Sequence, residues 1–333
     1  MISKLQRILF GLSAIVIVAD FVWAAIGHFQ IDIVGYGQLG LMSLALWAGG
    51  IFYQTRRREP ELTAMLMGAS FLCLFSAAAS VLNYFFLTLH GPRIDDILVA
   101  ANRALGFDWY RTMVAMAQHP LLNGILFRVY NMVLPEIALV MVALAWTGQV
   151  EKVYRYCLAL GAGALIAIAV WALMPSLGAK SLYTLPPEVT SRLTLSVTCD
   201  YGKELVALLL NGPGYISPSD LRGLIAFPSY HGVLALIMAW YGWHLRLLRW
   251  PLLLLNAVVI ACSPIQGGHH MVDLLGSFPV AALAIFLATR VAASAKPALM
   301  VNNASTPEES PLPARAWSHN VPSLKKLSDS ALS

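Results

Sequence analysis

Long apolar runs separated by short polar connections set the pattern of this chain. They fall near residues 8 to 27, 33 to 53, 62 to 89, 122 to 147, 156 to 174, 226 to 245, 249 to 264 and 270 to 292. A helix needs roughly 17 to 25 apolar residues to cross a hydrocarbon core about 30 Å thick, and most of these runs have that length. The pattern predicts an all-α, polytopic membrane protein of about eight transmembrane helices, with a helical bundle in the C-terminal two-thirds. The run at 249 to 264 spans only about 24 Å as a helix, which predicts a recessed outer end. Residues 90 to 121 have mixed helical periodicity. They are expected to lie in the membrane interface, anchored by Trp109 and Tyr110, or to pack as a solvated helix on other loops.

Composition narrows this picture. Of 333 residues, 58% are apolar and 12% charged, whereas a soluble domain is about half apolar and a quarter charged. An ordinary soluble enzyme is excluded. The net charge of +5 does not form a stripe for nucleic acid, and no nucleic-acid partner is expected. The bases cluster instead in alternate connections: Lys4 and Arg7, Arg56 to Arg58, Lys152 and Arg155, Arg246 and Arg249, and Arg290. By the positive-inside rule that face is cytoplasmic. Both termini are then inside, in a bacterial-type inner membrane, and the long connections 90 to 121 and 175 to 225 face the periplasm.

The first run follows Lys4 and Arg7 as a signal peptide would. Its length, Asp20 and the lack of a cleavage site favour a retained helix. Cys73, Cys157, Cys199 and Cys262 have no close spacing and suggest neither a zinc knuckle nor a disulfide framework. Residues 1 to 90 are expected to be accessory transmembrane helices and 91 to 295 the catalytic domain. Residues 296 to 333, rich in Pro, Ser and Ala, are expected to be a disordered cytoplasmic tail.

Two segments place titratable residues and glycines at the edge of apolar runs, where ionisable groups need a reason: GLIAFPSYHGVLALI and ACSPIQGGHHMVDLLG. Pro228 suits the opening turn of a helix that would carry Ser229 and His231. Gly267 and Gly268 permit a tight approach to a helix beginning near His269. Four residues separate His269 from Asp273, so on a helix the carboxylate reaches one imidazole nitrogen and fixes the tautomer. One crossing lies between the segments, so both helix starts share a side, where their free amides favour an anion.

PSYH (Pro228 to His231) and GGHHMVD (Gly267 to Asp273) resemble the second and third signature motifs of the type-2 phosphatidic acid phosphatase superfamily. The double histidine, the absent Ser-Arg pair and the eight-helix layout are more similar to its inositol phosphorylceramide synthase-like branch. The resemblance covers about residues 120 to 292. It implies a lipid phosphate substrate and catalysis by three residues, without a metal or other cofactor. His269 would attack phosphorus, Asp273 would orient it, and His231 would act as acid and base. Ser229 and the amides near Gly267 and Gly268 would hold phosphoryl oxygens.

Cys262 and Ser263 stand where the family has Ser-Arg, and the first motif, a lysine with Arg-Pro seven residues later, is not found. The missing cation is sought in Arg222, Lys203 or Arg192, together with Gln266. His270 is the alternative nucleophile. Glu136 and Arg128 in the fourth run, and Asp20 in the first, are read as packing or bundle-facing groups. Competing readings are a zinc hydrolase using His231, His269 and Asp273, and a catalytically silent lipid-binding or transport protein of the same fold.

Overall fold

A helix satisfies its own backbone in hydrocarbon, and among the described residues each apolar run is helical over most of its length. The computed structural model describes residues 3 to 295 except His90 and Cys199. The expected tail, 296 to 333, therefore lies outside the described residues. Helix α1 (Lys4–Gly27) opens with a capping box between Ser3 and Gln6 and closes at His28, whose φ is 53°. A short strand β1 (Gln30–Ile31) leads to α2 (Ile33–Phe52), capped by Asp32, and then to α3 (Pro60–Phe85). Next come α4 (Asp95–Ala104), α5 (Trp109–Met116), α6 (Pro120–Asn131), α7 (Val133–Trp146) and α8 (Val150–Leu173). The long connection after α8 holds α9 (Ala179–Leu182), α10 (Pro187–Thr190), α11 (Tyr201–Asn211) and β2 (Tyr215–Ile216). The chain ends its described part with α12 (Tyr230–Gly242), α13 (Arg249–Gln266) and α14 (Met271–Ala295).

Among the described residues five helical segments are long and apolar enough to cross a membrane: α1, α3 with the turn that follows it, α8, α13 and α14. The bent pair α6 and α7 makes a sixth if it counts as one span. The chain is an integral membrane protein. Three of the eight expected spans are altered. The run 33 to 53 forms α2 but is not among the segments long and apolar enough to cross. The run 122 to 147 is broken by 48° between α6 and α7. Pro135 explains this, because it cannot donate to the carbonyl of Asn131 and its ring crowds that carbonyl. The run 226 to 245 yields only the 13-residue α12, about 20 Å long. Pro228 lies outside it, preceded by a cis peptide bond, and Ser229 rather than a proline opens the helix.

Helix α8 occupies the centre and packs against α3, α7, α12 and α14. Small residues let it do so. A Cβ on Gly161 would meet Phe71 of α3 at 3.2 Å, and one on Gly68 would meet Met141 and Cys157 at 2.9 and 3.2 Å. Close backbone approach of this kind is how membrane helices gain van der Waals contact. Ser43 and Ser70 exchange hydroxyl-to-carbonyl hydrogen bonds of 2.9 and 2.8 Å and join α2 to α3. Leu9 of α1 and Phe71 of α3 belong to the same buried cluster as Val233 of α12 and Ala284 of α14. The N-terminal helices therefore share their core with the rest. Glu136 is buried and accepts from Asn256, while Arg128 is exposed. Asp20 faces the bundle.

Contacts sort the connections onto two faces. On one, Lys4 Nζ donates to the carbonyl of Ser294, Gln6 to the Tyr154 hydroxyl, and Gln149 to the carbonyl of His244. On the other, β1 pairs in parallel with β2, and Asp32 accepts from the Ser217 hydroxyl at 2.7 Å. Trp109, expected as an interfacial anchor, is instead 2% exposed. Its indole donates to the carbonyl of Pro264 at 2.7 Å, which docks α5 on the end of α13. Indole N–H groups seek a partner when buried, and a carbonyl freed by a helix end supplies one.

Candidate active site

The starts of α12 and α14 are bonded to each other. The Ser229 amide donates to the Asp273 carbonyl at 3.0 Å, and the Ser277 hydroxyl donates to the Ser229 carbonyl at 2.8 Å. This brings His231 and His269 to one cavity of about 810 Å³. Its lining also includes Lys180, Tyr130, Gly267 and Gly268. His231 stacks on Tyr130, with ring centroids 4.4 Å apart and planes inclined by 19°.

His269 lies just before α14 rather than within it. Its Nδ1 nevertheless meets Asp273 Oδ2 at 3.3 Å, and it meets the Ala226 carbonyl at 3.0 Å. A carbonyl only accepts, so Nδ1 carries the proton and Nε2 keeps its lone pair. A Cβ on Gly267 would sit 3.0 Å from Nε2 and 2.5 Å from the Tyr130 hydroxyl, so both atoms flank that backbone point. Burial pushes the His269 imidazole down to about 3, and the nearby Lys180 charge adds to this against the pull of the Ala226 hydrogen bond. The ring is thus neutral near pH 7, the form a nucleophile needs.

Lys180 is the site residue that the sequence pattern did not reveal. It is 7% exposed. Its backbone N–H donates to the Gly268 carbonyl at 3.2 Å and its Nζ to the Gly267 carbonyl, also at 3.2 Å. The ammonium also lies 4.3 Å from the centre of the Tyr201 ring. Two glycines permit this: Gly178 and Gly268 have φ of 77° and 67°, and a Cβ on Gly178 would strike the Gly268 carbonyl at 2.9 Å. The sequence signal was faint: a lysine with no acid between residues 175 and 187 to pair it.

Asn102 was also missed. Its Oδ1 accepts from the Met271 amide at 2.9 Å, and Asp273 Oδ2 accepts from the His270 amide at 2.8 Å. The amides expected to hold an anion at the start of α14 are therefore already engaged. Asp273 is fully buried, and its Oδ1 has no hydrogen-bond partner among the described residues.

Other expected phosphate ligands lie elsewhere. Ser229 is fully buried and its hydroxyl caps α12 by accepting from the Gly232 amide at 3.3 Å, so it does not line the cavity. Gln266 holds the Ser196 amide and the Thr194 carbonyl, at 3.1 and 3.3 Å, and ties that loop to the end of α13. Arg222 pairs with Glu204 at 3.1 Å on the surface, and its amide donates to the Tyr84 hydroxyl. Lys203 is exposed beside Asp200, and Arg192 is exposed. None of these side chains lines the cavity. His270 is fully buried outside it, and neither ring nitrogen has a partner among the described residues. Among the described residues no three His, Cys, Asp or Glu side chains are grouped to hold a metal ion.

A histidine pair and a buried ammonium around a largely apolar cavity is an arrangement for a phosphate carried on a lipid. The family profile for the PAP2 superfamily matches residues 96–287, more than half of the chain. The chain belongs to the PAP2 superfamily. Membership assigns it a phosphatase-type activity on lipid phosphates. The PAP2 match begins at α4 and takes in both histidine motifs and Lys180. No curated protein matches the chain. No solved structure matches it either.

Proposed function

We propose that the protein breaks a lipid phosphate ester through a phosphohistidine on His269 and passes the phosphoryl group to water or to a hydroxyl acceptor. The observation that carries this reading is the orientation of His269, with Nδ1 held by Ala226 and Asp273 and Nε2 beside Gly267 at the cavity wall. In the first step Nε2 attacks phosphorus, a P–N bond forms and the P–O bond to the alcohol breaks. His231 takes a proton from the bound phosphate monoanion and gives it to the leaving oxygen as the P–O bond breaks. His231 then takes a proton from water or a hydroxyl, whose oxygen attacks phosphorus as the P–N bond breaks. Lys180 offsets charge on the phosphoryl oxygens in place of the family's arginine. Asp273 stabilises the positive ring of the phosphohistidine.

Water as acceptor makes the enzyme a phosphatase. A lipid or sugar hydroxyl makes it a head-group transferase of the inositol phosphorylceramide synthase-like kind, a reading favoured by Cys262 and Ser263 in place of Ser-Arg and by the double histidine. The basic residues gather on the face opposite the site, which supports cytoplasmic termini and a periplasmic active site. The test is to incubate purified protein with a panel of lipid phosphates, with and without hydroxyl acceptors, and to identify products by mass spectrometry. Free phosphate from a monoester donor identifies water as the acceptor, and a new phosphodiester formed from a phosphodiester donor, with its head group carried on the phosphorus, identifies a hydroxyl. Acid-labile, base-stable label on wild type but not on His269→Ala is expected, and equal labelling of both would refute the nucleophile.

A further inference from the structure

The cavity at His269 does not stop at the histidines. It continues as a slot walled by Leu39 and Met42 of α2, by the face of α3 from Leu72 to Asn83, and by Leu134 and Ala138 of α7. Along α3 that wall rises about 16 Å, close to half of a hydrocarbon core of about 30 Å. Three of the four polar residues on that face of α3 turn their hydrogens to the backbone, while the fourth, Asn83, stands at one end with an Oδ1 that has no partner among the described residues. Cys73 donates to the Leu39 carbonyl, Ser76 to the Cys73 carbonyl and Ser80 to the Ala77 carbonyl. What faces the slot is mostly hydrocarbon.

The slot also opens sideways. Met42 and Leu134 line it yet are 50% and 75% exposed, so they form a mouth on the lipid-facing surface of the bundle. A site with a cation and two histidines at one end and a hydrocarbon slot about one leaflet deep at the other has the polarity of a membrane amphiphile. Helices α2 and α3 lie outside the PAP2 match, which begins at residue 96.

We propose that this slot carries the substrate's hydrocarbon chain, so that a lipid phosphate reaches His269 sideways from one leaflet while α2 and α3 select which chains fit. The inference rests on the function proposed above for the histidine end. It adds that chain selectivity resides in helices outside the matched region. Met42→Trp and Leu134→Trp narrow the mouth with side chains that project into lipid, where a larger group is tolerated. Leu139→Trp, 47% exposed on α7 but not lining the slot, is the control.

Turnover is measured on dioleoyl and dihexanoyl phosphatidic acid in detergent micelles. The mouth variants are expected to lose at least tenfold on the dioleoyl lipid, to stay within twofold on the dihexanoyl lipid, and the control to hold on both. Equal losses on both lipids, or no loss on either, would overturn the slot as a chain path. A second readout does not need catalysis: wild type and His269→Ala are photolabelled with a phosphatidic acid carrying a diazirine at the chain end. Label on peptides containing Cys73 to Ala79 or Leu134 to Ala138 supports the slot, and label confined to outward faces of α1 and α14 overturns it. If wild type turns over neither lipid but labels in the slot, the proposed chemistry fails and the chain path stands.

Discussion

The connection between α8 and α12 carries its cations in two ways. Its first part, residues 175 to 187, drops Lys180 beneath Gly268 into a buried position beside His269. Its later part, residues 200 to 222, holds Lys203 and Arg222 at the surface, each against an acid, Asp200 and Glu204. In the sequence all three are bases of one connection, and of these only Lys203 and Arg222 were singled out as candidate phosphate ligands. The difference is the company they keep: a cation with an acid beside it on the surface is already matched in water, where the pair is worth little. Lys180, placed among apolar residues, is held by carbonyls and an aromatic ring, and its field reaches His231, His269 and Asp273 with little screening.

The comparison breaks most directly at Lys180. Lys180→Ala is expected to reduce turnover by about a hundredfold to a thousandfold, the usual cost of removing one group that stabilises transition-state charge, with assembly of the protein preserved by size-exclusion chromatography. A loss under threefold would return the clamp to the surface cations. Asn102→Ala should act less strongly. Removing a side-chain cap costs about 1 kcal/mol, so a lower melting temperature and a loss of turnover under tenfold are expected. Arg222→Ala and Lys203→Ala should each stay within twofold of wild type, and a large loss in either would show that the surface pairs open during the reaction.

The smallest effect concerns pH. Unfolded, His269 titrates near 6.5, whereas folded it is held down to about 3. Between those values the unfolded chain binds the extra proton, so this contribution is fully present above 6.5 and is lost as pH falls toward 3. Melting curves at pH 7 and pH 5 should show the drop, with a shallower one for His269→Gln. Identical slopes would mean that the ring is not buried as described.

Much of the site was legible because its logic is local. His269 and Asp273 are four residues apart, and a single intervening helix puts His231 on their side, so pattern and spacing suffice. The break between α6 and α7 was missed: Pro135 stands four residues after Asn131, but the apolar run 122 to 147 reads as one span. The rest of what was hidden depends on long-range contacts. Lys180 becomes a site residue only through Gly268, 88 positions away by the numbering in which its amide meets that carbonyl. Asn102 caps a helix that begins at Met271, and Trp109 turns inward only because Pro264 presents a carbonyl to it. Ser229 has the right chemistry for a phosphate but serves its own helix, as serine does at an N-cap.

The paired bonds between Ser229, Asp273 and Ser277 have a consequence for how the two histidines should be studied. They make the openings of α12 and α14 one mechanical piece, so a change at Ser277 alters the distance between His231 and His269 without touching either. Single substitutions on the two helices are then not independent measurements. Their effects combine non-additively, and the shortfall measures how firmly the hinge between the two halves of the reaction is locked.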